Sequence, residues 1–298
     1  MEDLYASGNA SEPIPLKALR WDAVNWSCAY DAFLNLMWNL WVQRGQQWFE
    51  QVLVHSIEMH NLAGLFAQVD LGIYPLETVR STVRERLTLS DPQMFPNVGH
   101  VSIAVDNVFS AFLPSSFPSL FLTRAFLNCM NCGITSAAVH NVACPVIWES
   151  QAIEDSASRQ ASPLGMSGIL SDLLQYAFSI RCTACRHPVA SHVTFSDVPP
   201  LFIVNLNRRT TNHVPFNIER SLVIPTTGHT QRVLSLFGIV YWGANHFTTW
   251  VIDVNGDVWY NDSAISSMGS QYKRIGSVET VRLDQCEGRM PRIIMYRA

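Results

Sequence analysis

The chain has 298 residues, 48% hydrophobic and 15% charged, a composition that can bury a large core and excludes an intrinsically disordered protein. A formal charge of -4 leaves no basic field for a phosphate backbone, so nucleic acid is not an expected partner. The longest apolar stretch, around Leu234 to Ala244, is far short of the roughly 20 residues a membrane span requires, so no membrane partner is expected either.

The start, Met1-Glu2-Asp3-Leu4, is acidic where a signal peptide is cationic, and no apolar core follows it. The seven cysteines are odd in number and four of them form close Cys-x-x-Cys pairs. Both features point to a reducing, intracellular setting, cytoplasmic or nuclear, rather than a disulfide scaffold. Residues 1–19, with Ser, Gly, Asn and two prolines, read as a flexible entry, with order starting near Leu19-Arg20-Trp21. Phe33, Leu36, Met37, Leu40 and Trp41 fall at i, i+3, i+4, i+7 and i+8 and predict a helix with one broad buried face. A second helix is predicted from roughly Gln46 to Gln68 and a shorter one from Leu76 to Leu87.

Beyond Pro92 the texture turns to short β-rich runs, Val101 to Val105 and Leu120 to Leu122, and Ser150 to Pro163 reads as an exposed loop. Ile169, Leu170, Leu173 and Leu174 stripe a helix over Met166 to Tyr176. The last third reads as strands: Leu201 to Leu206, Leu222 to Ile224, Val233 to Tyr241, Thr248 to Val254, Val258 to Tyr260 and Ile293 to Tyr296. Asn255-Gly256 between two of them is a type I′ hairpin dipeptide.

Three groups of residues carry chemistry. Cys129-x-x-Cys132 and Cys182-x-x-Cys185 can present four thiolates to one structural Zn²⁺, with His187 and His192 as nearby competitors. Cys28 sits immediately before a helical stripe, where unpaired N–H groups and the helix dipole favour a thiolate and can hold an oxyanion. His246 starts a strand, and the hairpin at Asn255-Gly256 sets Asn261 and Asp262 beside it, so either can orient the ring for acyl transfer. Cys144 and Cys286 read as core thiols, and Trp21, Trp26, Trp38 and Trp41 as core aromatics.

From about residue 20 to the end, this order of elements resembles the ubiquitin-specific protease family of papain-like cysteine peptidases, α+β enzymes with a helical thumb, zinc-bearing β fingers and an antiparallel β palm. The Cys box that opens the family's thumb helix matches Cys28, and its two finger knuckles match Cys129, Cys132, Cys182 and Cys185. The palm strand resembles Pro199-Pro200-Leu201-Phe202-Ile203-Val204-Asn205-Leu206-Asn207-Arg208, and the closing strand resembles Ile293-Ile294-Met295-Tyr296. The His box resembles Asn245-His246-Phe247 with Trp259-Tyr260-Asn261-Asp262-Ser263.

The resemblance implies one catalytic domain over 20–298, with a thumb at about 20–95, fingers at 96–198 and a palm at 199–298. It implies hydrolysis after the C-terminal glycine of ubiquitin or a ubiquitin-like modifier, with structural zinc, and conjugates of that modifier as partners. Aligned on the trailing serine, the third catalytic position is Asn261, with Asp262 as its supporting neighbour. Ala23 replaces the family's oxyanion asparagine five residues before the nucleophile, and Asn25 stands as a substitute donor. Asp31, three residues after Cys28, is closer to the SUMO-directed branch, so a SUMO isopeptidase is one alternative, and the unorthodox Cys box makes an inactive zinc-stabilised modifier-binding module the other. Gly243 and Ala244 are expected to line a channel for a Gly-Gly tail.

Overall fold

A computed structural model describes residues 16–53, 56–97, 103–113, 122–126, 129–133, 140–141, 147–148, 165–176, 180–182, 184–189, 191–195, 198–206, 217–226, 231–265 and 271–298. Most of the predicted entry, the 150–163 loop, Cys144, Asn207 and Arg208 lie outside these residues. The helices are α1 (Cys28–Arg44), α2 (Gln46–Leu53), α3 (Ile57–Asp70), α4 (Leu76–Ser90), α5 (Val105–Phe112) and α6 (Met166–Tyr176). The first strands are β1 (Leu122–Phe126), β2 (His140–Asn141), β3 (Ile147–Trp148), β4 (Ile180–Arg181), β5 (Pro188–Val189) and β6 (Ser191–Phe195). They are followed by β7 (Leu201–Asn205), β8 (Ser221–Pro225), β9 (Gln231–Gly243), β10 (His246–Ile252), β11 (Asp257–Asn261), β12 (Lys273–Ser277) and β13 (Met290–Arg297).

The main sheet runs β12-β11-β10-β9-β13-β7-β3, with β8 also on β9, and is antiparallel except for the β3–β7 pair. Strand alternation divides its side chains between two cores. Leu201, Ile203, Phe247, Val251, Ile293 and Met295 join the helices α1 to α5. Phe202, Val204, Trp250, Ile252, Ile294 and Tyr296 join α6 on the opposite face. Two smaller sheets, β2-β1-β6 and β4-β5, carry the segment between the helical part and the main sheet.

The predicted single buried face of α1 is too modest: every residue from Cys28 to Trp41 is buried, because the helix lies between the sheet and the other helices. Its polar residues at i, i+4 and i+8 are therefore paired. Asp31 meets Ser27 and Arg80. Asn35 accepts the Leu19 N–H at 2.7 Å, and Asn39 donates to Lys17 O at 3.2 Å and to Tyr272 Oη at 3.2 Å. Order thus begins at least by residue 16, earlier than composition suggests, since α1 holds Lys17 and Leu19 in place.

Three further expectations are corrected. The helix expected over Gln46 to Gln68 is two, and Ser56 caps the second by accepting the Met59 N–H. Val105 opens helix α5 rather than ending a strand, since Val105, Val108, Phe109 and Phe112 bury one helical stripe. The Asn255-Gly256 connection is a longer loop in which Asp253 Oδ1 accepts the Asn255 and Asp257 N–H groups and only Gly256 is left-handed. The two-residue hairpin lies instead at Ala244-Asn245, both at positive φ (51° and 56°), the type I′ signature.

Candidate functional site

Cys28 is the first residue of α1, at the end of a loop tied down from several sides. Asp22 accepts the Val24 and Asn25 N–H groups and the Asn25 side-chain amide at 2.8 Å. Arg84 donates to Asn25 O at 2.7 Å, and Arg80 donates to Arg20 O at 2.5 Å and to Asp31 at 3.0 Å. The Asn25 amide, expected to reach an oxyanion, is thus engaged by Asp22. Burial pushes the Asp31 carboxyl up to about 6, against the pull of Arg80 and Ser27.

The β9–β10 turn delivers His246 to the end of the sheet beside that loop. Its Nε2 lies 2.9 Å from Asp262 Oδ1, a close ion-pair contact, and its ring also meets the Cys28 thiol. With Nε2 on the carboxylate, Nδ1 is the nitrogen left for sulfur. Trp21 packs edge-on against the imidazole at 5.7 Å.

Register explains why Asp262, not Asn261, faces the histidine. Thr249 pairs with Asn261 across β10 and β11, which puts Asp262 on the face of Thr248 and therefore of His246, two residues away. Asn261 points to the opposite face, accepts from the Asn35 amide at 3.4 Å and donates to Gln271 O at 2.8 Å. The position chosen by alignment on the trailing serine is accordingly a tether between β11 and α1, and the ring's partner is its neighbour.

Asp262 has its own support. Its Oδ1 accepts the Ala264 N–H at 3.1 Å, and Oδ2 takes Arg289 at 3.0 Å and the Tyr260 hydroxyl at 3.3 Å. Glu287 accepts from both Tyr260 and Arg289. Burial pushes the Asp262 carboxyl up, but the contact and charge of His246, the Ala264 N–H and Arg289 outweigh it and hold the group below its ordinary value. Burial likewise pushes His246 down, but Asp262 and Cys28 raise it to about 9.

This shift has a consequence for stability. The folded ring keeps its proton to about pH 9, whereas the unfolded chain releases it near 6.5. The stabilisation from the charged ring is therefore fully present below about 6.5 and lost as pH rises through about 9. Urea midpoints at pH 6 and pH 9.5 are expected to fall further for the native chain than for His246→Gln.

Gly243, expected to line a channel, also makes room for a neighbour. A Cβ at this position would lie 2.9 Å from Arg289 Cγ and 3.1 Å from its Cα, so the missing side chain is what lets Arg289 pass this close, just before β13. Gly243→Ala is expected to cost about 1–3 kcal/mol of stability, as overpacking does, and to loosen Arg289 from Asp262. Denaturant titration measures the first effect.

The four knuckle cysteines converge, with all sulfurs within 4.8 Å of one another, Cys129 and Cys185 3.5 Å apart and Cys132 and Cys182 3.6 Å apart. Four sulfurs at Zn–S of about 2.3 Å form a tetrahedron with edges of about 3.8 Å, so the set fits zinc. The separations are far beyond a disulfide bond of about 2.05 Å. Both knuckles share one backbone form: Gly133 N–H donates to Cys129 O and Arg186 N–H to Cys182 O, with Gly133 and Arg186 both left-handed. The Asn131 side chain and the His187 backbone hold the Cys185 thiol down to about 6, which readies it as a ligand. Among the described residues His187 is exposed and stands outside this sulfur group. Cys286 is a buried core thiol, and Trp38 and Trp41 are buried as expected, while Trp21 and Trp26 are only half-buried.

No family model matches the chain, and no curated protein matches it. Among solved structures it is similar to the SAGA DUB module of Ubp8, Sgf11, Sus1 and Sgf73 bound to monoubiquitin, with a TM-score of 0.57 at 12% identity. The match covers 97% of this chain and 72% of that one. At this identity the likeness is one of fold: an α+β protein with helices packed on an antiparallel sheet. Among the described residues no helix is long and apolar enough to cross a membrane.

Proposed function

We propose that the chain is a cysteine isopeptidase that hydrolyses the bond after the C-terminal glycine of ubiquitin or a ubiquitin-like modifier. The observation that carries this reading is His246 held between the Cys28 thiol at a helix start and the buried, ionised Asp262. The similar solved structure, with monoubiquitin bound, supports a modifier as the ligand. His246, charged up to about pH 9, already holds the proton at neutral pH; the Cys28 thiolate beside it adds to the glycine carbonyl, and the ring passes its proton to the departing amine. Water, deprotonated by the same ring, then hydrolyses the thioester. Asp262 keeps the imidazole oriented and stabilises its charged form, and the first N–H groups of α1 face the oxyanion.

The helical part, the knuckle-bearing segment and the main sheet would serve as thumb, fingers and palm. Zinc on Cys129, Cys132, Cys182 and Cys185 would brace the fingers, since a closed four-sulfur site keeps no position open for substrate. An intracellular location, cytoplasmic or nuclear, belongs to the same proposal.

The test is a panel of modifier C-terminal electrophiles and fluorogenic C-terminal amides. Labelling of Cys28 by a ubiquitin probe, with amide turnover lost in Cys28→Ser, is the expected result. Labelling by a SUMO probe alone would move the substrate to SUMO. Binding of modifier without turnover by the native chain would overturn the enzyme reading in favour of a binding module.

A further inference from the structure

The start of α1 is open because a hydroxyl that would ordinarily close it is held elsewhere. Ser27 occupies the N-cap position, where a serine side chain accepts an N–H from the first helical turn. Here it makes no such bond, and its backbone is helical (φ -74°, ψ -1°) rather than extended. Its Oγ instead donates to Asp31 Oδ2 at 2.6 Å and accepts the Asp22 N–H at 2.8 Å. Asp31 is 1% exposed, stands one turn beyond Cys28 on the same helix, and is fixed through its other oxygen by Arg80 at 3.0 Å. Among the described residues the backbone N–H groups of Cys28, Ala29 and Tyr30 therefore have no acceptor.

We propose that Asp31 is a positioning residue for the reaction at Cys28: by accepting the Ser27 hydroxyl it keeps the first-turn N–H groups of α1 free for the anionic sulfur and the oxyanion. This inference rests on the isopeptidase reading. In that reaction the Cys28 sulfur bonds to the carbonyl carbon and the C=O π pair moves to oxygen. As the tetrahedral adduct collapses, the C–N bond breaks and the amine leaves with the proton held by His246. The N–H groups donate hydrogen bonds throughout and transfer no proton. Without Asp31 the Ser27 hydroxyl loses its acceptor and keeps only the Asp22 N–H and an Arg80 contact at 3.4 Å, so Ser27 can relax to the extended backbone of an ordinary N-cap and turn its oxygen onto those donors, where it competes with the oxyanion. The Asn25 amide is meanwhile anchored on Asp22.

The experiment compares Asp31→Ala, Asp31→Asn and the double variant Asp31→Ala with Ser27→Ala on a fluorogenic modifier amide. Asp31→Ala is expected to lower kcat about 10²-fold, the low end of the loss of one oxyanion donor, with KM within about threefold. Asp31→Asn retains an oxygen that accepts the Ser27 hydroxyl and is expected to stay within about fivefold of the native kcat. Adding Ser27→Ala to Asp31→Ala removes the competing hydroxyl and should recover at least about tenfold of the loss, which a purely structural role of Asp31 would not produce. If Asp31→Ala does not fold, Asp31→Ala with Arg80→Met removes both buried charges together and takes its place. Equal losses in Asp31→Ala and Asp31→Asn, or a double variant no faster than the single, would overturn the inference. A native chain without turnover would instead sink the isopeptidase reading, so the two failures are distinguishable.

Discussion

His246→Ala is expected to lower kcat on a modifier C-terminal amide by about 10⁴-fold, Asp262→Ala by about 10²–10³-fold, and Asn261→Ala by no more than about threefold. On the proposed function the charged histidine gives its proton to the amine and then takes one from the attacking water, and general acid–base catalysis by one group contributes about 10²–10⁴. Asp262 acts only through the ring, so its removal leaves a base that is present but poorly oriented and less readily charged. Asn261 touches neither sulfur nor imidazole. Its loss breaks the Asn35 and Gln271 tethers and should appear as a stability cost of about 1 kcal/mol per hydrogen bond. Steady-state kinetics separates the three, with thermal melts as the control for folding. If Asn261→Ala proved as damaging to kcat as Asp262→Ala, with both variants folded, the geometry assigned to the histidine would be wrong.

This ordering also marks where the sequence was legible and where it was not. The residue types were readable: a cysteine before a helical stripe, a histidine at a strand start, a polar pair after a hairpin. The choice within the pair was not, because it depends on register. The Thr249–Asn261 pairing decides it by the two-residue alternation of strands, and the predicted Asn255-Gly256 turn misplaces the loop length from which register would be counted. Asn25 shows the same limit on a smaller scale. Its spacing from Cys28 made it a credible donor, but Asp22, three residues earlier, captures its amide through a local turn.

At the level of fold, the strands of the last third and helix α6 were visible, since apolar runs bounded by turn residues need no tertiary information. Helix α5 was missed although its apolar residues have helical spacing, because its β-branched start adjoined a run that reads as a strand. Edge strand β12, Lys273-Arg274-Ile275-Gly276-Ser277, has no apolar alternation and exists by pairing with β11. The all-round burial of α1 could not be read from periodicity either. Asp31, Asn35 and Asn39 look like a solvated stripe until the loop and strand they bind are in place.

The zinc ligands were the most legible group and, on the proposed function, lead to a sharp prediction. Cys182→Ser, or chelation of the native chain, is expected to melt the knuckle segment in a transition separate from the rest. The four sulfurs form their own cluster; α6 and Phe195 stay with the sheet's second core and β3 with β7, but no residue between 114 and 200 belongs to the helical core around α1 among the described residues. The strands they brace are short, a two-stranded pair and a three-stranded sheet, which are marginal without further support. Loss of zinc should therefore leave α1, His246 and Asp262 assembled. Alkylation of Cys28 by a small reagent would then continue at the native rate, while hydrolysis of a whole modifier amide falls about tenfold or more, chiefly through KM, because the surface holding its globular body has come apart. Metal analysis should return one zinc per chain before chelation. A chelated protein that kept its KM for the whole modifier, or one that unfolded in a single step with loss of Cys28 reactivity, would mean that the knuckles do not act as an independent brace for the substrate.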